Sequence, residues 1–443
     1  MTDWILHTCD RLEERYYERT HPSGLRILVS PKDLSACYAT LGVNYGSRDR
    51  FAGGTLPMGT AHFLEHKMFE QPDGSGWEDV FAAYGADVNA YTSDDSTAYM
   101  FSATEHIPQA LQALITMVSE LSVTSSSVSR ERHIIAEEIR MNADDPWEVV
   151  YANMLRGLYA PTRNGGHPVR EEICGTESSI SRITPAVLRE AHSRFYRPSN
   201  MVLAVSGPVT PSEVWDAIEA VPALMEWKSQ PYVPGSTRVV REGTGVYKPA
   251  VTQSMDTVKP LFCIGIKHPA PPEDSVALLR TERLMTLLAE TLFSRSGDFY
   301  SSLFESGTVS PGMSYGSSVG RGSLGRTAGS YGYFYLSGEC DDPSAVFTAF
   351  RDYVGSVKRN GLDTEALSRA RRTLYADYIY GFDSTESIAS SLLTTAMDGI
   401  GLYELMELDE SLTEDQLWSL FSEVFTESQY TLSTVYPWET GTH

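Results

Sequence analysis

Apolar and polar positions alternate over residues 24–31 (Gly-Leu-Arg-Ile-Leu-Val-Ser-Pro), and Ala39-Thr40-Leu41-Gly42-Val43-Asn44-Tyr45 repeats the pattern, which predicts two strands paired as a hairpin. A loop rich in glycine and charge follows over 46–59 and leads into a short helix beginning at Thr60. Residues 77–84 read as another helix, ended by Gly85. After it, 87–93 and 96–102 are rich in β-favouring residues around the turn Asp94-Asp95, and predict a second hairpin. The apolar period then lengthens to that of a helix over 107–121, and again from Ser127 through Met141 until Asp144-Asp145-Pro146. Further on, 201–207 (Met-Val-Leu-Ala-Val-Ser-Gly) reads as a strand and 212–218 as a helix.

Between about Lys228 and Thr257 the periodicity fades, and Pro231, Pro234, Gly235, Gly243, Gly245 and Pro249 accumulate, as in a linker. Beyond it the order of elements repeats. An aromatic strand over 331–337, a turn, a helix over 344–357, Gly361 and a helix over 364–380 echo the run from Thr97 to Met141. The expectation is an α+β protein of two homologous domains, 1–228 and 258–443, joined by a linker over 229–257.

At 443 residues the chain exceeds one ordinary core, while 42% hydrophobic and 11% aromatic residues mark it as globular. No apolar run approaches a membrane span, and the first residues resemble neither a secretory signal nor a transit peptide, so a cytoplasmic location is expected. A net charge of −23 argues against nucleic acid or an anionic membrane as partner and favours cationic ligands such as basic peptides. The five cysteines, Cys9, Cys37, Cys174, Cys263 and Cys340, are scattered without a CxxC pair and read as reduced structural thiols. Gly320-Arg321-Gly322-Ser323-Leu324-Gly325 spells GxGxxG, but it lies before a strand rather than between a strand and a helix, so it does not read as a dinucleotide site.

The stretch that carries chemistry is Thr60-Ala61-His62-Phe63-Leu64-Glu65-His66-Lys67-Met68-Phe69. At about 100° per residue, His66 falls about 40° to one side of His62 and Glu65 about 60° to the other, so all three share a face. Two histidines at i and i+4 can bind one Zn²⁺, and the carboxylate beside them can take a proton from an attacking water. This is HxxEH, the reverse of HExxH. The plainer alternative is a helix capped by Thr60, with Phe63, Met68 and Phe69 inside and the polar trio solvated.

A catalytic zinc ordinarily needs a third protein ligand. Glu131, Glu137 and Glu138 are the candidates downstream. Glu131 and Glu138 lie two turns apart on one helical face and Glu137 points away; either of the first two could ligate while the other orients a histidine, and spacing alone does not choose.

Four separated segments, GTAHFLEHKMFE with NAYTS, ERHIIAEEIRMNADDP, HPVREEICGTESSISRIT and FYRPSNMVLAVSGPV, resemble the pitrilysin/insulinase superfamily of inverzincin metallopeptidases, in particular small members akin to the mitochondrial processing peptidase. The resemblance spans nearly the whole chain. It implies zinc held by His62, His66 and Glu138, Glu65 as general base, and Glu131 supporting a ligand. It also implies that Asn89, Ala90 and Tyr91 form a strand that pairs with an extended peptide substrate. Its fold would be two antiparallel-rich sheets packed with helices, in a dimer that closes like a clamshell. Active relatives resemble LFxxLREKGLAY in the second half, with an Arg and a Tyr that hold substrate. Here Phe304 takes the place of that Arg, and Tyr315 is the matching tyrosine. The function this implies is a zinc endopeptidase whose Arg/Tyr pair comes from a related subunit, a heterodimer; a weakly active homodimer and a non-catalytic scaffold are the alternatives.

Overall fold

The computed structural model describes residues 3–51, 56–161, 167–226, 243–272, 274–321 and 330–438. Among these residues twelve strands form two sheets: β1 (Ile5–Cys9), β2 (Glu14–Thr20), β3 (Arg26–Pro31), β4 (Cys37–Val43), β5 (Ala86–Thr92), β6 (Thr97–Ala103), β7 (Met201–Gly207), β8 (Ala250–Met255), β9 (Leu261–Lys267), β10 (Ser314–Arg321), β11 (Ser330–Glu339) and β12 (Tyr430–Pro437). The helices of the first half are α1 (Thr60–Met68), α2 (Trp77–Ala83), α3 (Ile107–Ser119), α4 (Ser125–Asp144), α5 (Pro146–Leu158), α6 (Glu177–Ile180), α7 (Pro185–Phe195), α8 (Pro211–Glu219) and α9 (Pro222–Glu226). Those of the second half are α10 (Ser275–Phe293), α11 (Asp298–Glu305), α12 (Pro343–Asn360), α13 (Thr364–Gly381), α14 (Thr385–Asp398), α15 (Leu402–Glu410) and α16 (Glu414–Val424).

The first sheet has seven strands in the order β1-β2-β3-β7-β4-β6-β5 and the second has five in the order β8-β12-β9-β11-β10. Apart from β1 and β2, one sheet repeats the other strand for strand. In each the outermost matching pair, β3 with β7 and β8 with β12, is parallel, while every other pair is antiparallel. The duplicated α+β architecture expected from the sequence is therefore present. The hairpin of 87–102 forms as expected, with Asn89 opposite Met100.

The expected hairpin of 24–31 with 39–45 does not form. β7 is buried along its whole length and inserts between β3 and β4, pairing parallel to the first and antiparallel to the second. A seven-residue apolar strand buries both faces only in a sheet interior, and that preference overrides pairing by sequence proximity. β1 and β2, not expected from the pattern, extend this sheet beyond β3.

By packing the chain divides into two units, one of 1–137, 172–237 and 377–407, the other of 138–171, 238–376 and 408–443. The halves of the sequence thus exchange a helix. α5, from the first half, packs on β8, β9 and β12; α14, from the second, packs on β3, β4 and β7. Ile388, Leu392 and Leu393 of α14 meet Leu28, Met100 and Val202, and Val150, Met154 and Leu158 of α5 meet Leu261, Cys263 and Val435. The division falls inside α4, which is itself one uninterrupted helix. Of the expected linker, 229–242 lie outside the described residues and 250–255 are β8; of the GxGxxG stretch, 322–325 lie outside them and Gly320 and Arg321 end β10. No helix among the described residues is long and apolar enough to cross a membrane.

Candidate metal centre

Helix α1 begins after Gly59, whose φ of 82° is left-handed. A Cβ there would stand 2.4 Å from the Cys174 carbonyl oxygen, so this helix start admits only glycine. Thr60 does not cap the helix, as the plainer alternative supposes; its hydroxyl donates to the Pro57 carbonyl at 2.6 Å. Nor is the polar trio fully solvated. His62 is 8% exposed and Glu65 9%, His66 is half-buried, and Lys67 is fully buried beside Phe63, Leu64 and Met68.

Buried polar groups need partners, and each one found here fixes a side chain of the motif. The Thr92 hydroxyl donates to Glu65 Oε2 at 2.7 Å. His66 Nδ1 donates to Glu131 Oε1 at 3.0 Å, and Lys67 pairs with Glu70 while standing 3.8 Å from Glu131 Oε2. Burial by itself raises the Glu131 carboxyl, but the His66 hydrogen bond and the charges of His66, Lys67 and Arg130 outweigh it and hold the group below its ordinary value. An ionised Glu131 selects the His66 tautomer protonated at Nδ1, leaving Nε2 as the nitrogen with a lone pair for a metal.

The rings of His62 and His66 lie 4.6 Å apart, as one turn of helix dictates. Along α4, Val128, Glu131, Ile135 and Glu138 follow one stripe, with the apolar pair buried and the acids half-buried, while Glu137 is exposed. Glu138 therefore faces the same way as Glu131. A nitrogen of His62, a carboxylate oxygen of Glu138 and Cys174 Sγ all lie within 4.8 Å of one another. His66 is not one of these three; it flanks them through His62 and is held by Glu131.

Imidazole, carboxylate and thiol are donors Zn²⁺ accepts, and bond lengths of about 2.0–2.3 Å place neighbouring donors roughly 3 to 4 Å apart around it. The residues present fit such an ion. The structure also adds two residues that sequence reasoning missed, Thr92 and Cys174. All five cysteines are free thiols; Cys37, Cys263 and Cys340 are fully buried, whereas Cys9 and Cys174 are half-buried, and Cys174 Sγ lies 4.0 Å from His62 Nε2.

Asn89, Ala90 and Tyr91 lie on β5, which ends its sheet, so among the described residues one edge of the strand has no neighbouring strand. Tyr91 is 46% exposed, and Asn89 Oδ1 accepts the Ala90 N–H at 2.8 Å. In the second unit, Tyr315 on β10 packs against the core and donates its hydroxyl to Glu290 of α10. Phe304 on α11 is 46% exposed and stacks on Tyr300 at 5.7 Å.

A duplicated α+β fold whose first half carries HxxEH on a buried helix, backed by a second helix bearing acids, defines a zinc-metallopeptidase-like class. The chain belongs to the insulinase family, peptidase family M16. The family model for insulinase (peptidase family M16) matches residues 27–169, and that for the peptidase M16 inactive domain matches 182–374. The uncharacterized zinc protease YmfH of Bacillus subtilis is 30% identical over 438 residues, covering 97% of this chain and 98% of its own. YmxG of the same organism, also named an uncharacterized zinc protease, is 23% identical over 94% of this chain and 97% of its own. The crystal structure of an M16-like peptidase from Alicyclobacillus acidocaldarius superposes with a TM-score of 0.85 at 27% identity, covering 99% of both chains.

Proposed function

We propose that this chain is a zinc-dependent endopeptidase, with His62, His66 and Glu138 as the protein ligands, Glu65 as general base and a related subunit completing the substrate site. The observation that carries this reading is the convergence of His62 and Glu138 across a buried helix whose other two polar motif residues are already oriented, Glu65 by Thr92 and His66 by Glu131. Zinc would supply Lewis acidity at this place, polarising a scissile carbonyl and acidifying a water.

The chain's own groups do the rest. With Oε2 held by Thr92, Glu65 receives the water's proton on Oε1 and delivers it to the leaving amine. The outward amides of β5 receive an extended peptide as an added strand, so that affinity comes from main-chain hydrogen bonds with little reading of side chains. The chain's acidity favours basic peptides. A second reading, a peptide-binding scaffold of the same fold, draws support from Phe304 standing where active relatives carry an Arg.

Glu65→Gln separates the two. The variant is expected to lose peptide hydrolysis by about 10²-fold or more while binding the same zinc by plasma mass spectrometry. Hydrolysis unchanged in the variant, or a folded protein that takes up no zinc, defeats the endopeptidase reading.

A further inference from the structure

We infer that Cys174 is a further ligand of the ion at this centre, its thiolate taking the coordination position a catalytic water needs, so that the loaded resting site is closed. This rests on the metal assignment above. The backbone placement of the thiol is fixed. Gly59 brings the start of α1 against the Cys174 carbonyl, and Gly175, at a φ of 79°, lies so close that a Cβ would meet the Met58 carbonyl oxygen at 2.8 Å. The two segments, 58–59 and 174–175, interlock through paired left-handed glycines, and no side chain larger than hydrogen fits at either. Three residues after Gly59 comes His62, and the interlock sets Cys174 Sγ 4.0 Å from its Nε2, inside the 4.8 Å group completed by Glu138.

Three donors of different chemistry converge there. A thiol that merely fills core space needs no carboxylate and imidazole beside it, and those that do fill space in this chain are buried, with Cys37 and Cys340 pushed up to about 12 by desolvation. A thiolate is a stronger zinc donor than water, and the sulfur together with His62, Glu138 and the adjoining His66 would complete the tetrahedron of a structural rather than a catalytic site. On binding, the S–H proton is released to solvent and an S–metal bond forms, with no change in oxidation state. Hydrolysis then requires the sulfur to leave the ion and water to replace it.

The test loads Co²⁺ into the chelator-stripped full chain. The wild-type protein is expected to show a sulfur-to-cobalt charge-transfer absorption in the near ultraviolet, and Cys174→Ser to lose it while still binding cobalt. Cobalt bound by the wild type without that absorption overturns the inference and leaves the endopeptidase reading standing; an absorption that persists in Cys174→Ser overturns it too, by assigning the sulfur elsewhere. Failure of folded wild type to take up cobalt or zinc removes both readings. Should the variant not fold, iodoacetamide labelling of the wild type followed by mass spectrometry decides: Cys174 is expected to be protected in the zinc form and labelled after chelation, and equal labelling in both defeats the proposal.

Discussion

His268 is buried at 4% exposure, and its Nδ1 accepts the Ala270 N–H at 3.3 Å, a bond that requires a neutral ring. Desolvation lowers its pKa from 6.5 to about 4. Between those values the unfolded chain binds a proton that the folded one refuses, so stability falls as pH drops from 6.5 towards 4, by up to about 3 kcal/mol for this group. His192, also lowered to about 4 by burial, adds to the same trend in the other unit. Urea midpoints measured across this window are expected to decline, and His268→Gln, which keeps an acceptor but does not titrate, is expected to flatten the decline; an unchanged slope would show that His268 is not its source. Single residues differ in how far the sequence announces them. His62, Glu65 and His66 were legible because helical spacing alone puts them on one face. Glu138 was legible as one of two acids on the right face of α4. Thr92 and Cys174 were not, since their partners lie 27 and 112 positions away and only tertiary structure brings them together.

Elements carry a different kind of information. The β5–β6 hairpin could be read from its pattern because its register is local, but pattern did not reveal that β5 is an edge, which depends on where β7 inserts. The exchange of α5 and α14 was equally invisible, although it leaves a trace: Gly42 on β4 and Gly265 on β9 hold equivalent places in the two sheets. A Cβ at Gly42 would come 2.7 Å from Leu393 of α14, and one at Gly265 would come 2.6 Å from Met154 of α5. Each glycine is the seat of the exchanged helix. For the edge strand, Ala90→Pro removes an amide whose partner in the structure is the Asn89 side chain. The variant is expected to keep its thermal midpoint within a few degrees and to raise KM for extended peptides with little change in kcat. If β5 does not receive substrate, KM will stay where it is.

At the scale of the molecule, duplication has been followed by divergence. The strand order is kept, yet α10 has no histidine to match those of α1, so the metal centre proposed above draws both its histidines from the first half. The second half keeps Tyr315 but commits its hydroxyl to Glu290, and it places an aromatic ring, Phe304, where the substrate-holding Arg of active relatives is expected. A ring cannot donate a hydrogen bond to a developing oxyanion, and loss of one such donor costs about 10²- to 10³-fold in rate. Glu65 and Glu131 are held ready by Thr92 and His66, and under the heterodimer proposal the missing donor comes from another chain. Mixing the purified protein with a related M16 chain that bears the Arg/Tyr pair is therefore expected to give a complex of two chains by size-exclusion chromatography and to raise kcat/KM for a basic peptide by about the same 10²- to 10³-fold. Glu65→Gln in this chain should abolish the gain, which locates the chemistry here and the clamp in the partner. Equal rates with and without such a homologue would mean that this chain alone holds whatever stabilises the reaction, and would defeat the heterodimer proposal.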